Sequence, residues 1–476
     1  MTVLVIDAGT SGVRSVAVRD DGSVGAEVHV EVLPSSPAPG LVEIDAAATA
    51  DAALVTARAV LDQVGPVDAV GITNQRASTI AWDARTGEPV GPGIGWQDLR
   101  TVGRCLALQP EGIRLAPNAS ATKAEWLVQH AELPPEHLRI GTVDTWLAWV
   151  LSDGAAHVTD ASNALVTGLY DTAGRAWSGD LLALLGIPDT AMASVRDSSG
   201  PVADATALPG APPISALVGD QQASLLGQGC IAPGDAKLTL GTGGMLDVCM
   251  GPEPGPTPRH GTFPMVAWRL GGTDTWAREA VMLSAGACVE WLRDGLGLID
   301  DVAASEAVAA SVPDAGDVMF VPALSGRGTP AWDHGARGLL VGITRGTSRA
   351  HLVRAVLEGV ALAAADLVDA AEADTALRIE ALRVDGGMSA NRVVLQALAD
   401  ATARPVERSA HREATAVGAG FLAGVAAGTW ADLAAATATL PPLERIEPAG
   451  SLDRARFADA TQRSAAWIPE LTSLDL

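Results

Sequence analysis

Lysine is almost absent from this sequence: among 476 residues, only Lys123 and Lys237 occur. A nucleotide-binding P-loop needs Gly-Lys followed by Ser or Thr, because its lysine reaches the terminal phosphates, and neither lysine stands in that setting. The HRD and DFG triplets of protein kinases are missing as well. These absences exclude both ways of holding ATP, so any nucleotide site must depend on other groups.

Cysteine is scarce too, with four residues far apart in the chain: Cys105, Cys230, Cys249 and Cys288. They form no CxxC pair, which argues against a zinc site or a disulfide framework, and we expect a cytoplasmic protein. No secretory signal is visible, because Asp7 interrupts the first apolar run. The uncharged segment 414–430 is short for a membrane span and rich in Ala and Gly, so it predicts a buried helix packed on a sheet.

Basic residues are outnumbered: 56 acidic side chains face 32 Lys plus Arg, and the net charge is -24. Such a field repels nucleic acid and anionic membrane surfaces, so we expect neither as a partner. The composition favours a small-molecule partner instead. If that molecule is an anion, backbone N–H groups, an arginine or a metal must hold it locally.

The length and the alternation of patterns predict two domains of the α/β class. A chain of 476 residues exceeds one compact core. Helical segments alternate with short apolar strands. A strand, a Gly-rich turn and a second strand open the chain, and the same pattern recurs at residues 236–250. Gly, Pro and Asp cluster near residue 230, so we predict domains at residues 1–232 and 233–476.

Three Gly-rich turns are candidate phosphate or nucleotide sites. DAGTSGVR spans residues 7–14 and LGTGG spans residues 240–244; glycine lets backbone N–H groups approach phosphate oxygens closely, and Asp7 could hold Mg²⁺. Either turn alone is weak evidence for a phosphate site, because Gly-Thr-Gly occurs in many ordinary β-turns, but two such turns at the starts of both predicted domains strengthen it. RVDGGMSANR, residues 383–392, is either an adenosine site or a plain strand-turn-helix connection capped by Ser389.

A further carboxylate follows an apolar run in ISALVGDQQASLLGQG, residues 214–229, where Asp220 precedes a predicted helix. Its side chain could cap that helix. Equally, an Asp at a strand end in an interdomain cleft could be a general base that takes a proton from a substrate hydroxyl. Spacing alone favours neither interpretation.

Motifs along nearly the whole chain occur in one order: DAGTSGVRS, LVEIDA, GITNQR, TGEPVGPGIGWQDLRT, TKAEWL, GTVDTWLAWVLS, HVTDASNA, GDQQASLLGQG, AKLTLGTGG, AGACVEWLRDGL, VPALSGRGTPAWD, ARGLLVGITRGT, VDGGMSANR and EATAVGAGFLAG. In these motifs the chain resembles the FGGY carbohydrate kinases, and most closely their glycerol kinase branch. The resemblance implies two actin-like domains of ribonuclease-H type around a catalytic cleft. It also implies ATP and Mg²⁺ bound mainly by the second domain, and a polyol or sugar bound mainly by the first.

The resemblance also implies a role for each matched residue. Asp220 would be the catalytic base, and Asp7 would lie near the metal. The residues around the β- and γ-phosphates would be Thr10, Ser11, Arg14, Thr242 and Gly243. The rest of the nucleotide site would comprise Gly286, Glu290, Gly387 and Asn391, with Glu290 standing where relatives often have Gln. The acceptor site would comprise Arg76, Ala77, Trp96, Asn118, Gln221 and Met245.

Three acceptor positions depart from the glycerol kinase pattern. That branch has QRE where this chain has QRA, so Ala77 stands in place of a Glu. Asn118 stands in place of a Tyr, and Met245 in place of a Phe. Removing one buried hydrogen-bond partner typically costs about 1 to 3 kcal/mol, so three changes are enough to alter the substrate. We expect a larger polyol or a ketose; the alternative is a plain glycerol kinase whose pocket has compensated elsewhere.

Other classes compete with a polyol or sugar kinase. An actin-like ATP-binding regulator would bind nucleotide without turnover, and an ATP hydrolase would use the Asp220 segment to place water. The retained Asp7, Asp220 and both hairpins argue against an inactive site. The resemblance further implies a homodimer or homotetramer.

Overall fold

The computed structural model describes residues 1–409 and 413–473. Its strands are β1 (Thr2–Ala8), β2 (Gly12–Arg19), β3 (Val24–Glu31), β4 (Glu43–Ile44), β5 (Ala69–Asn74), β6 (Thr79–Asp83), β7 (Gly93–Ile94), β8 (Leu138–Thr142), β9 (Val158–Asp160), β10 (Tyr170–Asp171), β11 (Ala176–Trp177), β12 (Ser194–Arg196), β13 (Ser199–Asp204), β14 (Pro213–Gly219), β15 (Ala236–Leu240), β16 (Gly244–Gly251), β17 (Phe263–Leu270), β18 (Thr273–Met282), β19 (Met319–Val321), β20 (Leu339–Val341), β21 (Leu382–Asp385), β22 (Val406–Arg408) and β23 (Glu444–Ile446).

The helices between them are α1 (Ala46–Val64), α2 (Val102–Leu108), α3 (Ala121–His130), α4 (Val143–Leu151), α5 (Ala161–Val166), α6 (Gly179–Leu185), α7 (Asp220–Gly227), α8 (Gly286–Asp294), α9 (Ala304–Ala310), α10 (Arg349–Thr375), α11 (Arg392–Thr402), α12 (Ala414–Ala426), α13 (Leu433–Thr437), α14 (Arg454–Ser464) and α15 (Pro469–Thr472). Strands and helices alternate along the chain, as the predicted α/β class requires.

Two large sheets carry the fold, and their central strands follow one plan. The first sheet has the order β13-β14-β5-β1-β2-β3, and the second has the order β17-β18-β16-β15-β21-β22-β23. In the first, β3, β2 and β1 pair antiparallel, and β5 and β14 continue parallel to β1. In the second, β18, β16 and β15 pair antiparallel, and β21 and β22 continue parallel to β15. The predicted repeat of one plan is thus seen in the pairing of both sheets.

The uncharged segment 414–430 contains α12, which packs on the first sheet. A β-carbon at Gly71 of β5 would lie 2.9 Å from the carbonyl oxygen of Ala419, so helix and strand are in close contact. Ala416, Val417 and Phe421 of this helix are fully buried. The predicted buried helix is confirmed. No helix within the described residues is long and apolar enough to cross a membrane.

The packing of α12 bears on the predicted division of the chain. Each of the segments 1–232 and 233–476 contains one large sheet, but α12 from the second segment covers strands β1, β5 and β14 of the first. One buried cluster contains Val3 and Val5 together with Val417 and Phe421. The boundary near residue 232 stays a prediction, and the two segments share part of their core.

The charged segment after Pro448 contains a helix. Helix α14 begins at Arg454, where the side chain of Asp453 accepts a hydrogen bond from the backbone N–H of Arg456. Its Phe457 and Ala460 are buried against strand β19. Two apolar residues three apart are enough to attach one helical face to the core.

Candidate active site

The two predicted carboxylates lie at the ends of two parallel strands of the first sheet that are separated by one other strand. Asp7 belongs to β1, and Asp220 directly follows β14, with β5 between them. Burial and the charge of Asp220 raise the pKa of Asp7 to about 7, against the opposite effect of Arg14. Two carboxylates that repel each other in this way create a site where a cation is favoured.

The donor set near Asp7 fits a magnesium ion that arrives with a nucleotide. Among the described residues, no group of three or more His, Cys, Asp or Glu side chains could hold a metal ion. Mg²⁺ does not need such a cage, because it is commonly bound by one or two carboxylates together with substrate phosphates. Asp7 therefore suits Mg²⁺ as part of a nucleotide complex and does not suit a permanently bound ion.

Arg14, predicted to contact phosphates, is paired with two carboxylates. It lies opposite Asp7 in the hairpin register. Its Nη1 forms an ion pair with Oε2 of Glu413, and its Nε lies 3.3 Å from Oε1 of Glu27. Burial opposes the charge, but Glu413 and Glu27 raise the pKa of Arg14. Glu413 is the first residue of the EATAVGAGFLAG motif, for which no site role was predicted, and it connects the hairpin to the start of α12.

Asp220 is the first residue of α7, and Gly219 occupies the cap position, so the Asp220 side chain does not cap the helix. Its Oδ1 accepts a hydrogen bond of 2.7 Å from the backbone N–H of Gln221 and lies 3.5 Å from Nε of Arg76. Burial raises the pKa of Asp220, while Arg76 and Lys237 oppose that rise. The capping interpretation is wrong, and the side chain, 30% exposed, can receive a proton.

Arg76 lies just after β5 and makes three contacts with polar or polarisable groups. Besides Asp220, its Nη2 lies 2.7 Å from Oε2 of Glu279, and its Nη1 lies 3.7 Å from Sδ of Met265. Burial opposes the charge, but the carboxylates around Arg76 raise its pKa further. Glu279 belongs to β18 of the second sheet, so the guanidinium connects the two halves of the molecule. No motif in the sequence indicated Glu279.

Lys237 of β15 is fully buried beside the same site. Its Nζ lies 2.9 Å from Oδ2 of Asp247 and donates hydrogen bonds to Oε1 of Gln221, at 2.6 Å, and to Oγ1 of Thr239, at 2.9 Å. Gln221, predicted to bind the acceptor, is thereby fixed from the second sheet. In the sequence, Lys237 stood out by the rarity of lysine and by its place in the AKLTLGTGG motif, and neither feature indicated its contacts.

Ala77 follows Arg76 with its backbone in the left-handed region, at φ 61°. Few residues other than glycine adopt this region, although Ala tolerates it better than a branched residue does. Ala77 is buried, and its carbonyl accepts a hydrogen bond of 2.9 Å from Oγ of Ser120. Its side chain ends at a methyl group, so this position offers no polar group to an acceptor.

The predicted acceptor residues Trp96 and Asn118 are joined by the other buried lysine. Nζ of Lys123 donates to the carbonyl oxygens of Trp96, at 2.9 Å, and of Asn118, at 3.3 Å. The indole Nε1 of Trp96 donates to Oγ1 of Thr10, at 3.4 Å, which places Trp96 beside the first hairpin. The side chain of Asn118 is exposed, and Met245 is half-buried on β16.

The second hairpin and the start of α8 are locked together at backbone level. The N–H groups of Ala285 and Gly286 donate to the carbonyls of Thr242 and Gly241, each at 2.8 Å. A β-carbon at Gly286 would lie 2.6 Å from the carbonyl oxygen of Gly241, and one at Gly243 would lie 2.9 Å from that of Met282. Glycine at both positions follows from close approach of the chain. Thr242 is exposed at the tip.

The third Gly-rich turn places Asn391 as the cap of α11, where its Oδ1 accepts from two backbone N–H groups. Its Nδ2 also donates to Oγ of Ser305, at 3.1 Å. Ser389 instead donates to the carbonyl of Gly386, so Ser389 is not the cap that one of the two alternatives assigned to it. Gly387 and Glu290 are exposed.

In the first hairpin, Thr10 and Ser11 form the turn between β1 and β2.

Comparison with known proteins decides the family. Residues 2–227 match the N-terminal domain of the FGGY family of carbohydrate kinases, and residues 236–427 match its C-terminal domain. The chain belongs to the FGGY family of carbohydrate kinases. The resemblance drawn from the motifs is confirmed.

Individual FGGY relatives agree with this assignment. The chain is 42% identical to a glycerol kinase of Dechloromonas aromatica, covering 98% of both chains, and 40% identical to one of Gloeobacter violaceus, covering 98% of this chain and 97% of the relative. The crystal structure of the Plasmodium falciparum glycerol kinase with ADP superposes with a TM-score of 0.89 at 26% identity, over 100% of this chain and 99% of that one. A Rhodospirillum rubrum xylulose kinase gives 0.83 at 25% identity, over 99% of each chain.

These findings confirm several predictions from the sequence. The fold is α/β, with the two actin-like, ribonuclease-H-like domains of FGGY kinases. The protein is a carbohydrate kinase that phosphorylates a polyol or sugar hydroxyl with ATP, so the regulator and hydrolase alternatives are not favoured. Its partner is a small molecule.

Proposed function

We propose that this FGGY kinase phosphorylates a polyol or ketose larger than glycerol and that Asp220 is its general base. One observation carries the proposal: Asp220 and Arg76 stand together at the cleft, while the adjacent Ala77 offers only a methyl group. A hydroxyl near Asp220 could give up its proton there, and Arg76 could donate to a neighbouring oxygen. The missing polar side chain at Ala77 leaves room for a longer acceptor.

Positioning and charge neutralisation account for most of the catalysis in phosphoryl transfer. The two hairpins, at Thr10–Ser11 and Thr242–Gly243, would cradle the β- and γ-phosphates with backbone N–H groups, and Arg14 would add a positive charge. Gly286, Glu290, Gly387 and Asn391 would line the rest of the nucleotide site. Asp7 would hold Mg²⁺, which neutralises phosphate charge when bound.

The acceptor would contact Arg76, Trp96 and Gln221, with Asn118 and Met245 at the altered edges of the pocket. Two of these are fixed by buried lysines: Gln221 by Lys237, and the Trp96 carbonyl by Lys123. Fixed hydrogen-bonding groups discriminate strongly between substrates that match them and substrates that do not. Rigid contacts on the retained side, combined with the absence of a polar side chain at Ala77, support a change of acceptor over relaxed specificity.

The first prediction concerns Asp220→Asn. A positioned general base typically contributes about 10²- to 10⁴-fold in rate, so we expect turnover to fall at least about a hundredfold. Asn keeps the shape of the side chain and its contact with the Gln221 N–H, so folding and ATP binding should persist. ADP release, coupled to a spectroscopic assay, measures turnover; thermal unfolding and nucleotide titration check the protein. Near-normal turnover would refute the assignment.

The acceptor is tested with Mg-ATP and a panel of glycerol, tetritols, pentitols, ketopentoses, ketohexoses and aldonates. We expect the highest kcat/KM with a larger polyol or a ketose. Glycerol as the best acceptor would support the plain glycerol kinase instead. ADP release that no acceptor stimulates would favour a hydrolase, and nucleotide binding without release would favour a regulator.

We also propose that Mg²⁺ supports the reaction, that the protein is cytoplasmic and that it forms a homodimer or homotetramer. The carboxylate at Asp7 supports the first of these, the four unpaired cysteines support the second, and the resemblance to FGGY kinases implies the third. Titration of activity with Mg²⁺, cell fractionation and sedimentation velocity test them separately.

A further inference from the structure

Glu279 faces the proposed acceptor site from the second sheet. It lies on β18 and pairs with Asp247 of β16 in the strand register. Its side chain is 13% exposed, and its Oε2 lies 2.7 Å from Nη2 of Arg76. A carboxylate of one domain thus contacts the arginine that the first domain brings to Asp220.

The two ion pairs of Arg76 differ in length. The Glu279 pair, at 2.7 Å, is a close ion pair with the length of a charge-assisted hydrogen bond, although Oε2 of Glu279 does not meet the full hydrogen-bond geometry. The Asp220 pair, at 3.5 Å, is longer than such a bond. The guanidinium therefore makes its tight contact with Glu279 and only a loose one with Asp220.

This difference matters for a base. A carboxylate in a tight pair with arginine holds a proton poorly, because the nearby positive charge favours its ionised form. A carboxylate held loosely beside the same arginine keeps more of its basicity and keeps its lone pairs free for a substrate hydroxyl. A second carboxylate that holds the arginine away from the base would preserve both the basicity of the base and its free lone pairs.

The other charges around Asp220 do not provide the same control. Lys237 is paired with Asp247 and donates a hydrogen bond to Gln221, and the ion pairs of Arg76 are with Asp220 and Glu279, not with Asp7. Glu279 is therefore the carboxylate whose tight pairing with Arg76 competes directly with Asp220.

We propose that Glu279 is a positioning residue of the phosphoryl transfer: it holds the guanidinium of Arg76 toward the second domain, so that Arg76 can orient the acceptor without closing onto Asp220. The inference rests on the proposed function. Glu279 can hold Arg76 in this way only when the two domains face each other across the cleft.

The test uses Glu279→Gln in the full chain, which removes the charge and retains the side-chain shape. Freed from Glu279, Arg76 is expected to close onto Asp220. We expect kcat to fall about tenfold or more and the acceptor KM to rise about tenfold, with the KM for ATP within about twofold of the wild type. Glu279→Asp, which keeps the charge on a shorter side chain, should recover part of the loss.

A double-mutant cycle with Arg76→Gln separates positioning from a merely structural role. If Glu279 acts through Arg76, adding Glu279→Gln to Arg76→Gln should change kcat by less than about twofold. Losses that multiply in the double variant would overturn the proposal, and so would a Glu279→Gln enzyme with wild-type constants.

Asp274→Asn is the matched control. Asp274 lies on the same strand, is buried, and pairs with Nε of Arg269 at 2.5 Å, but neither Asp274 nor Arg269 forms an ion pair with Arg76 or Asp220. The kcat of the Asp274→Asn enzyme should stay within about twofold of the wild type. Equal losses in the Asp274 and Glu279 variants would overturn the positioning role. A wild-type enzyme that no acceptor stimulates would overturn both this inference and the proposed function, whereas a stimulated wild type with an unaffected Glu279→Gln variant overturns this inference alone.

Discussion

The two lysines of the chain show how one residue type responds to two buried environments. Lys237 lies beside Asp247, and although burial opposes its charge, the neighbouring carboxylates raise its pKa. Lys123 donates instead to backbone carbonyls, and burial lowers its pKa to about 8. A paired carboxylate offsets desolvation more fully than carbonyl dipoles do. Lys237 is therefore a firmly charged contact for Gln221, whereas Lys123 can lose its charge in mild alkali.

His157 is expected to make the free energy of unfolding depend on pH. Its ring packs edge-on against Trp82, its Nε2 lies 3.2 Å from the carbonyl oxygen of Ile140, and burial lowers its pKa to about 4. The unfolded chain takes up this proton near pH 6.5, before the folded chain does. The stability contribution is complete above pH 6.5 and falls as the pH decreases toward 4, by at most about 3 kcal/mol.

We expect His157→Phe, which keeps an aromatic ring, to lose less stability than the wild type between pH 7 and pH 5. Urea unfolding at both pH values gives the free energies. His130→Phe is the control, because His130 is exposed where it stacks on Trp126. An equal loss in the wild type and His157→Phe would show that His157 does not titrate in this way.

At the scale of elements, the start of α5 holds the ends of two central strands. Oγ of Ser162 accepts from the backbone N–H of Gly219, at the end of β14, at 3.0 Å. The amides of Asn163 and Asn74, the latter at the end of β5, exchange hydrogen bonds at 3.0 and 3.2 Å. Asp160 caps the helix and accepts from both Ser162 and Asn163. Since Asp220 and Arg76 follow those strand ends, this turn helps to set their separation.

Ser162→Ala should therefore reduce kcat several-fold, because Gly219, directly before Asp220, loses its hydrogen-bond acceptor. The loss of a buried hydrogen bond should also cost about 1 to 3 kcal/mol of unfolding free energy. Steady-state kinetics and urea unfolding measure the two effects.

Ser198→Ala is a close match for comparison. Its hydroxyl is equally buried, donates to the same Asp160, and accepts from a backbone N–H, but that N–H belongs to Arg269. We expect a similar loss of stability with kcat within about twofold of the wild type. A similar fall of kcat in both variants would mean that general destabilisation, and not the position of Asp220, is responsible.

At the scale of the whole molecule, α12 makes the two chain segments depend on each other. It covers β1, β5 and β14 and packs tightly against α7, where a β-carbon at Gly227 would overlap the carbonyl of Ala414, and one at Gly418 would overlap that of Ala223. Because α7 begins at Asp220, a helix from the second half of the chain supports the proposed base.

Expression of residues 1–232 alone tests this dependence. Without α12, one face of the first sheet, including Val3, Val5 and Val218, would be exposed to water. We expect a fragment that binds hydrophobic dyes and unfolds without a sharp transition. Addition of residues 233–476 in trans should reduce dye binding. Cooperative unfolding of the isolated fragment, with the near-ultraviolet circular dichroism of a packed core, would contradict this prediction.

The sequence alone determined the features that depend on local residues. Glycine and hydroxyl residues specify tight turns wherever they occur, so both hairpins, the α/β alternation and the buried character of residues 414–430 could be predicted. Ordered motifs also determined the family, and the polar residues at strand ends indicated Asp7, Arg76 and Asp220 as site candidates.

Only the tertiary structure decided which distant charges meet. Glu279 follows Arg76 by about two hundred residues, and Glu413 follows Arg14 by about four hundred, so neither pair leaves a local pattern in the chain. Sheet register and the packing of the two halves place these side chains within a few ångströms. Ser389 and Asn391 differ in a similar way: both can cap a helix, and the path of the backbone chose Asn391. Electrostatic interactions act through space, and the position of each charge in space is a property of the folded chain.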